Sequence, residues 1–194
     1  MTTVCNGSGA GRVAIVTGGS RGAGLATACR LAATGFAVVV DYLHDQRAAE
    51  AVVESILAGR GDAVAVRADV ADDLDVTRLF AESISAFGGV DVVVHAAGSR
   101  MTAAAIVVSR EAARRVRDHG AIVNLSAGAP PRPLAVELRA RDITVNAVQP
   151  EVGRPCAPDR VADVVEFLLS DDGHRLTGQV VVVGADGFTA VPSE

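Results

Sequence analysis

Short runs rich in Val and Ile alternate along this chain with Ala-rich stretches that carry Arg and Glu. The runs are Val13–Thr17, Ala37–Tyr42, Ala63–Arg67, Val92–Ala96, Ile122–Leu125, Thr144–Val148 and Val180–Val183. Most are apolar throughout, without the polar alternation of a half-solvated strand. Such strands need cover on both faces, which is the condition of a parallel sheet between two helical layers. Helical spacing fills the intervals near Gly22–Ala33, Gln46–Ala58, Leu74–Phe87, Ala103–Asp118 and Pro158–Leu169. In the first of these, Leu25, Ala28, Cys29 and Ala32 fall on one side. The pattern predicts an α/β fold: a single doubly wound parallel sheet of about seven strands with helices on both faces. At 194 residues the chain is one domain. Residues 1–11 read as a flexible arm and residues 12–194 as the domain.

The interval between Leu125 and Thr144 is irregular. It opens with Ala129, Pro130, Pro131, Arg132 and Pro133, which oppose helix, so only Leu134–Ala140 remains for a short crossover helix.

Composition narrows the chemistry. All 18 basic residues other than His are Arg, so the chain has no lysine; it has one tyrosine, Tyr42, and no tryptophan. No lysine Schiff base, no phosphate loop of the Gly-Lys-Ser/Thr type and no Tyr/Lys proton relay can form within it. A net charge of −5 and 3% aromatic residues argue against nucleic-acid binding. No apolar run approaches the ~20 residues of a membrane span. The opening MTTVCNGSGAG lacks the charged and apolar regions of a secretory signal. Cys5, Cys29 and Cys156 are widely spaced and odd in number, as cytoplasmic thiols are. His44, His119 and His174 are scattered without metal-ligand spacing, and no metal is expected.

The first strand runs directly into Thr17, Gly18, Gly19, Ser20, Arg21, Gly22, Ala23 and Gly24, and a helix follows. Gly18 suits a sharp turn, Gly22 a close approach of backbone to a pyrophosphate, and Gly24 close packing of helix on sheet. The bland alternative is a strand–helix turn without a ligand.

The spacing TGxxxGxG resembles that of the short-chain dehydrogenase/reductase family, closest to its ketoacyl-reductase-like members. The resemblance continues through Asp69-Val70, His95-Ala96-Ala97-Gly98, Ile122–Ser126 and Ile143–Pro150. It extends along the last helix and strand, from Val161 through Thr177-Gly178-Gln179 to Gly184. It implies a Rossmann-like domain that binds a nicotinamide dinucleotide. Its cofactor residues would be Gly18, Ser20, Arg21, Gly22, Gly24, Asp41, Tyr42, Asp69, Val70, His95, Ala96, Ala97, Gly98 and Pro150. An acid about twenty residues beyond the turn favours NAD, and Asp41 stands at such a place. The resemblance puts the NAD-selecting acid one position later, at Tyr42, and puts Arg21 where members preferring NADP carry a base for the 2′-phosphate. NADP is therefore expected, with NAD second; the alternatives are a solvated Arg21 and a solvated Asp41.

The same resemblance implies a catalytic Ser, Tyr and Lys. Here the family's Ser falls on Ala127, Met101 lies near its Asn, and Pro133 passes directly to Leu134-Ala135-Val136-Glu137-Leu138, the second half of the expected helix. The loop after Pro150 shrinks to Glu151–Pro158. Tyr42 lies on the wrong half of the cleft to substitute. Ser126 reads as a strand-end residue, Cys156 as a spare thiol, and His95 as a hydrogen-bonded stand-in for an Asn. No catalytic residue is assigned. The expectation is dinucleotide binding without ordinary carbonyl reduction. Three states fit it: a reductase by ancestry using other chemistry, a non-catalytic NADP(H)-binding subunit, or an internally deleted reductase without function of its own. The shortened crossover helix weakens one family dimer face, which it shares with Ala103–Asp118. A homo-oligomer is expected through the C-terminal helix and strand Gln179–Gly184.

Overall fold

The computed structural model describes residues 11–96, 101–125, 132–151, 156–184 and 187–192. Ala97, Gly98, Ser126, Ala127 and the arm up to residue 10 lie outside them. In chain order the elements are β1 (Val13–Thr17), α1 (Gly22–Ala33), β2 (Ala37–Tyr42), α2 (Gln46–Ala58), β3 (Ala63–Arg67), α3 (Asp73–Phe87), β4 (Val92–His95) and α4 (Met101–Arg115). They continue with β5 (Ala121–Leu125), α5 (Arg132–Glu137), β6 (Thr144–Pro150), α6 (Pro158–Leu168), β7 (Gln179–Val183) and β8 (Phe188–Pro192).

The strands form one sheet in the order β3-β2-β1-β4-β5-β6-β7-β8. All neighbours are parallel except β7 and β8, which are antiparallel. From β1 the chain winds outward through β2 to β3, then returns to β4 on the other side of β1 and winds the opposite way. The sheet order therefore reverses between β1 and β4, and a crevice opens there at the C-terminal strand ends.

Period-two alternation divides the strand residues between two apolar layers. Ala14, Val16, Val38, Val40, Val92 and Val123 pack against α1, α2 and α6. Ile15, Val39, Val66, Val93, Ile122 and Val145 pack against α3, α4 and α5. The central positions Ala14, Ile15, Val38, Val39, Val92 and Val93 are wholly buried, so both faces of the sheet are core.

Local signals set the helix ends. Asp45 accepts a bond from the Ala48 amide (3.0 Å) and caps α2. Asp72 accepts from the amides of Leu74 (2.9 Å) and Asp75 (3.0 Å) and caps α3. Gly88, with φ 83°, closes α3 in the left-handed conformation that glycine adopts without steric penalty. On the first face, α1 lies against α6, and Arg30 ties them through Asp163 and Glu166, the latter at 2.9 Å.

Several element ends shift by one or two residues from the sequence expectation, and three differences are larger. The crossover helix is six residues of α-helix that tighten into a 3₁₀ turn at Leu138–Arg141, and Asp142 ends it at φ 53°. Helix α4 spans Met101–Arg115 rather than Ala103–Asp118. An eighth strand pairs antiparallel with β7, with Gly187 in the reversal at φ 159°. Among the described residues, no helix is long and apolar enough to cross a membrane.

Candidate functional site

The glycine-rich turn sits at the C-terminal end of β1, where the sheet order reverses. Gly18 has φ 61°, the left-handed region. A Cβ on Gly24 would lie 2.4 Å from the Gly18 carbonyl oxygen, so only glycine lets α1 start against the turn. A Cβ on Gly22 would meet nothing within 4 Å, although its φ of 54° is itself strained for other residues. Gly22 needs its flexible backbone, and the space above it is open.

The start of α1 is chemically distinct from those of α2 and α3. Arg21 occupies the cap position in an extended conformation and makes no side-chain capping bond, and no acid lies in the first turn. The opening amides of a helix carry partial positive charge and seek an acceptor. Here no side chain caps them, and they face the crevice between β1 and β4. Within the turn Ser20 is buried, whereas Arg21 is exposed at its rim.

Below the turn lies a row of buried polar side chains. Thr17, His95 and Asn124 are register partners on β1, β4 and β5. Asp41 follows the paired Val40 on β2 and comes level with Thr17. All four lie on the α3/α4 face, one step beyond the apolar row Val39, Ile15, Val93 and Ile122. Their exposures are 0% for Thr17 and His95, 3% for Asp41 and 4% for Asn124. Thr17 Oγ1 and His95 Nδ1 are hydrogen-bonded at 2.8 Å, and Thr17 Oγ1 also accepts from the Ala96 amide at 3.2 Å. Asp41 Oδ2 accepts from the Gly18 amide at 3.3 Å, and the Asp41 carbonyl accepts from the Gly19 amide at 3.2 Å. Three side-chain atoms of the row have no partner among the described residues: Asp41 Oδ1, His95 Nε2 and Asn124 Oδ1. Burial pushes the Asp41 carboxyl up to about 7 and the His95 imidazole down to about 4. Each shift favours the neutral form.

Asp41 is therefore no solvated strand end: it is enclosed, and it holds the turn from below. His95 is the hydrogen-bonded strand-end residue expected, and burial removes it from titration near neutral pH. Tyr42 is half-buried and packs on the opposite face, with the layer covered by α1 and α2. Asp69 follows β3; its Oδ1 accepts from the Ala71 amide at 3.0 Å and its own amide donates to Asp75 Oδ2 at 2.9 Å. Val70 packs against the second core, Ala96 closes β4, and Pro150 is the exposed last residue of β6. Ala97 and Gly98 fall outside the described residues. Gly18, Ser20, Arg21, Gly22, Gly24, Asp41, His95 and Ala96 thus share one region, with Tyr42, Asp69 and Val70 along its β2–β3 side.

Sequence reasoning missed Thr17 and Asn124 as members of the buried row. The signal was present: both are polar residues at the ends of otherwise apolar strands, at the register of His95. It also read the histidines as scattered. His119 Nδ1 lies 2.8 Å and His174 Nε2 3.4 Å from Asp142 Oδ2, at the N-terminal end of β6, away from the crevice. A cleft of about 300 Å³, lined by residues including Arg139, Thr144, His174 and Thr177, adjoins this cluster. Among the described residues, no group of three or more His, Cys, Asp or Glu could hold a metal ion.

The sequence profile of the short chain dehydrogenase family matches residues 12–127. An uncharacterised oxidoreductase of Methylorubrum extorquens is 33% identical over 236 positions, which take in 88% of this chain and 95% of that protein. Versicolorin reductase 1 of Aspergillus parasiticus is 32% identical over 253 positions, covering 92% of this chain and 97% of the relative. Both alignments are longer than the chain's 194 residues, so each relative carries segments without a counterpart here. A crystal structure of a short chain dehydrogenase from Burkholderia cenocepacia, in complex with NADP, superposes with a TM-score of 0.79 at 28% identity. That superposition covers 89% of this chain and 96% of the other.

Proposed function

The chain belongs to the short-chain dehydrogenase family, and from that premise we propose that it binds NADP(H) at the Thr17–Gly24 turn without ordinary carbonyl reduction. The observation that carries the binding is the start of α1: glycine-built, lacking a side-chain cap, and placed where the sheet order reverses. Anionic groups are stabilised at such a helix terminus by its amides and dipole. The fit extends to the rim, where the exposed Arg21 suits a 2′-phosphate through paired N–H donors. Tyr42, rather than an acid, stands where the resemblance puts the NAD-selecting side chain. The Burkholderia relative in complex with NADP supports the same preference.

A nicotinamide dinucleotide supplies a hydride. The resemblance calls for a Tyr held by a Lys to supply the accompanying proton. This chain has no lysine, and its one tyrosine is Tyr42. On β2, Tyr42 is separated from β5 and the crossover helix by β1 and β4. A positioned acid contributes about 10²–10⁴-fold to such a reaction. His95 does not replace it, because burial holds the ring neutral and its Nδ1 is engaged by Thr17. Bound cofactor with at most residual turnover follows. Assembly into a homo-oligomer through α6 and the C-terminal strands completes the proposal.

Titration with NADPH and NADH, followed by assay on a panel of ketones and aldehydes, tests this reading. NADPH is expected to bind more tightly, Arg21→Ala to weaken NADPH far more than NADH, and turnover to stay at the level of a Gly22→Asp control. Turnover well above that control, or no binding of either dinucleotide, would overturn it.

A further inference from the structure

We propose that binding a dinucleotide at the turn is accompanied by uptake of a proton onto the buried Asp41 carboxyl, making Asp41 a positioning residue whose charge is coupled to the cofactor. The inference rests on the cofactor site proposed above. Asp41 is 3% exposed and lies directly under the turn. One carboxyl oxygen accepts from the Gly18 amide, while the other is enclosed without a partner among the described residues. That second oxygen is where a proton would sit, leaving the Gly18 bond in place.

The surroundings of Asp41 are poor in positive charge. On the β1 side it meets the Gly18 amide and the neutral Thr17. On the β3 side the Ala68 amide is spent on the Tyr42 carbonyl at 3.0 Å, and the carboxylates of Asp69 and Asp75 repel the ionised form of Asp41. Arg78 is taken up by Asp75 at 2.8 Å, and Arg67 also acts on Asp75. Along the row His95 is held neutral, and Tyr42 faces the other way. Enclosure and like charge together put the carboxyl near 7 before any ligand arrives. A pyrophosphate on the α1 amides brings further negative charge to the same turn. Negative charge brought near a carboxyl favours its protonated form. The proton comes from solvent and bonds to Oδ1; no other bond changes.

The sign follows from linkage. Well below pH 7 the carboxyl is already neutral, so affinity there is independent of pH. Above it, binding must protonate Asp41, and affinity falls with rising pH by up to about tenfold per unit.

Calorimetric titration of the full chain with NADH near pH 7.5, in phosphate and in Tris, counts the protons exchanged. NADH carries no phosphate monoester, whose own ionisation near pH 6 would confuse the count for NADPH. Uptake of about 0.3–0.8 proton per NADH is expected for the wild type. In Asp41→Asn the amide oxygen can still accept from Gly18, and the binding heat that remains should show no buffer dependence. Zero uptake by the wild type, or equal uptake by the variant, overturns the inference while leaving the cofactor site standing. Failure of NADH and NADPH alike to bind the wild type overturns the site itself, and the inference with it. If the variant does not fold, the wild-type count decides alone.

Discussion

Asp41 and His95 are two titratable side chains in one buried row, with shifts of opposite consequence. In the unfolded chain Asp41 ionises near 4; in the fold it stays protonated up to about 7. It therefore favours the fold at low pH, and this contribution is lost as pH rises from about 4 to 7. His95 ordinarily protonates near 6.5, but in the fold only near 4. Its contribution is present above 6.5 and lost as pH falls towards 4. Between these limits the two effects oppose and nearly cancel, so the wild type should show a flat stability profile there. Replacing either residue uncovers the other. In urea denaturation, stability of Asp41→Asn should rise with pH between about 4.5 and 6.5, by roughly 1 kcal/mol per unit. His95→Gln should show the opposite slope. Two flat profiles would refute the assignment of these shifts to the row.

At the scale of elements, an apolar run bounded by turn residues was enough to locate a strand. β1, β2 and β3 begin and end where the sequence places them, and so do α1 and α2. Their signals are local: Gly18 and Gly22 bracket the first turn, and Asp45 caps α2. Asp72 does the same for α3 through two amides, so Asp72→Ala should cost about 1 kcal/mol, read as a lower urea midpoint at unchanged slope. The places that were not legible depend on distant partners. β8 carries no periodic signature of its own; it is a strand because Val180, Val181 and Val182 offer it an edge to pair with. The site behaves likewise. Its glycines were legible because backbone conformation is encoded locally. The burial of Asp41 was not, since neighbouring strands enclose it, and a charged residue at a strand end ordinarily reads as solvated.

For the whole molecule, β8 changes what the C-terminal side can offer another copy. The outer edge of β7 is already paired within the chain, so an oligomer built on this side must use β8 and α6. Phe188 and Val191 are each 46% exposed there, and the Phe188 ring rests 5.2 Å from that of Phe167 on α6. Light scattering coupled to size exclusion should report a homo-oligomer that Val191→Lys disperses; a wild-type monomer would contradict the proposed assembly.

The partnership of α1 with α6 also has a consequence in time. α1 opens from the glycine-rich turn, yet its outer neighbour α6 lies more than a hundred residues further along the chain, and Arg30 must wait for Asp163 and Glu166. β1 similarly gains one of its two flanking strands only when β4 arrives. Contacts between segments so far apart along a chain form slowly, because the intervening loop must close first. During synthesis the turn would emerge early and remain unbraced until the final third of the chain has docked. Competence to hold a ligand should then appear with the slowest phase of refolding, and not with the first appearance of helix.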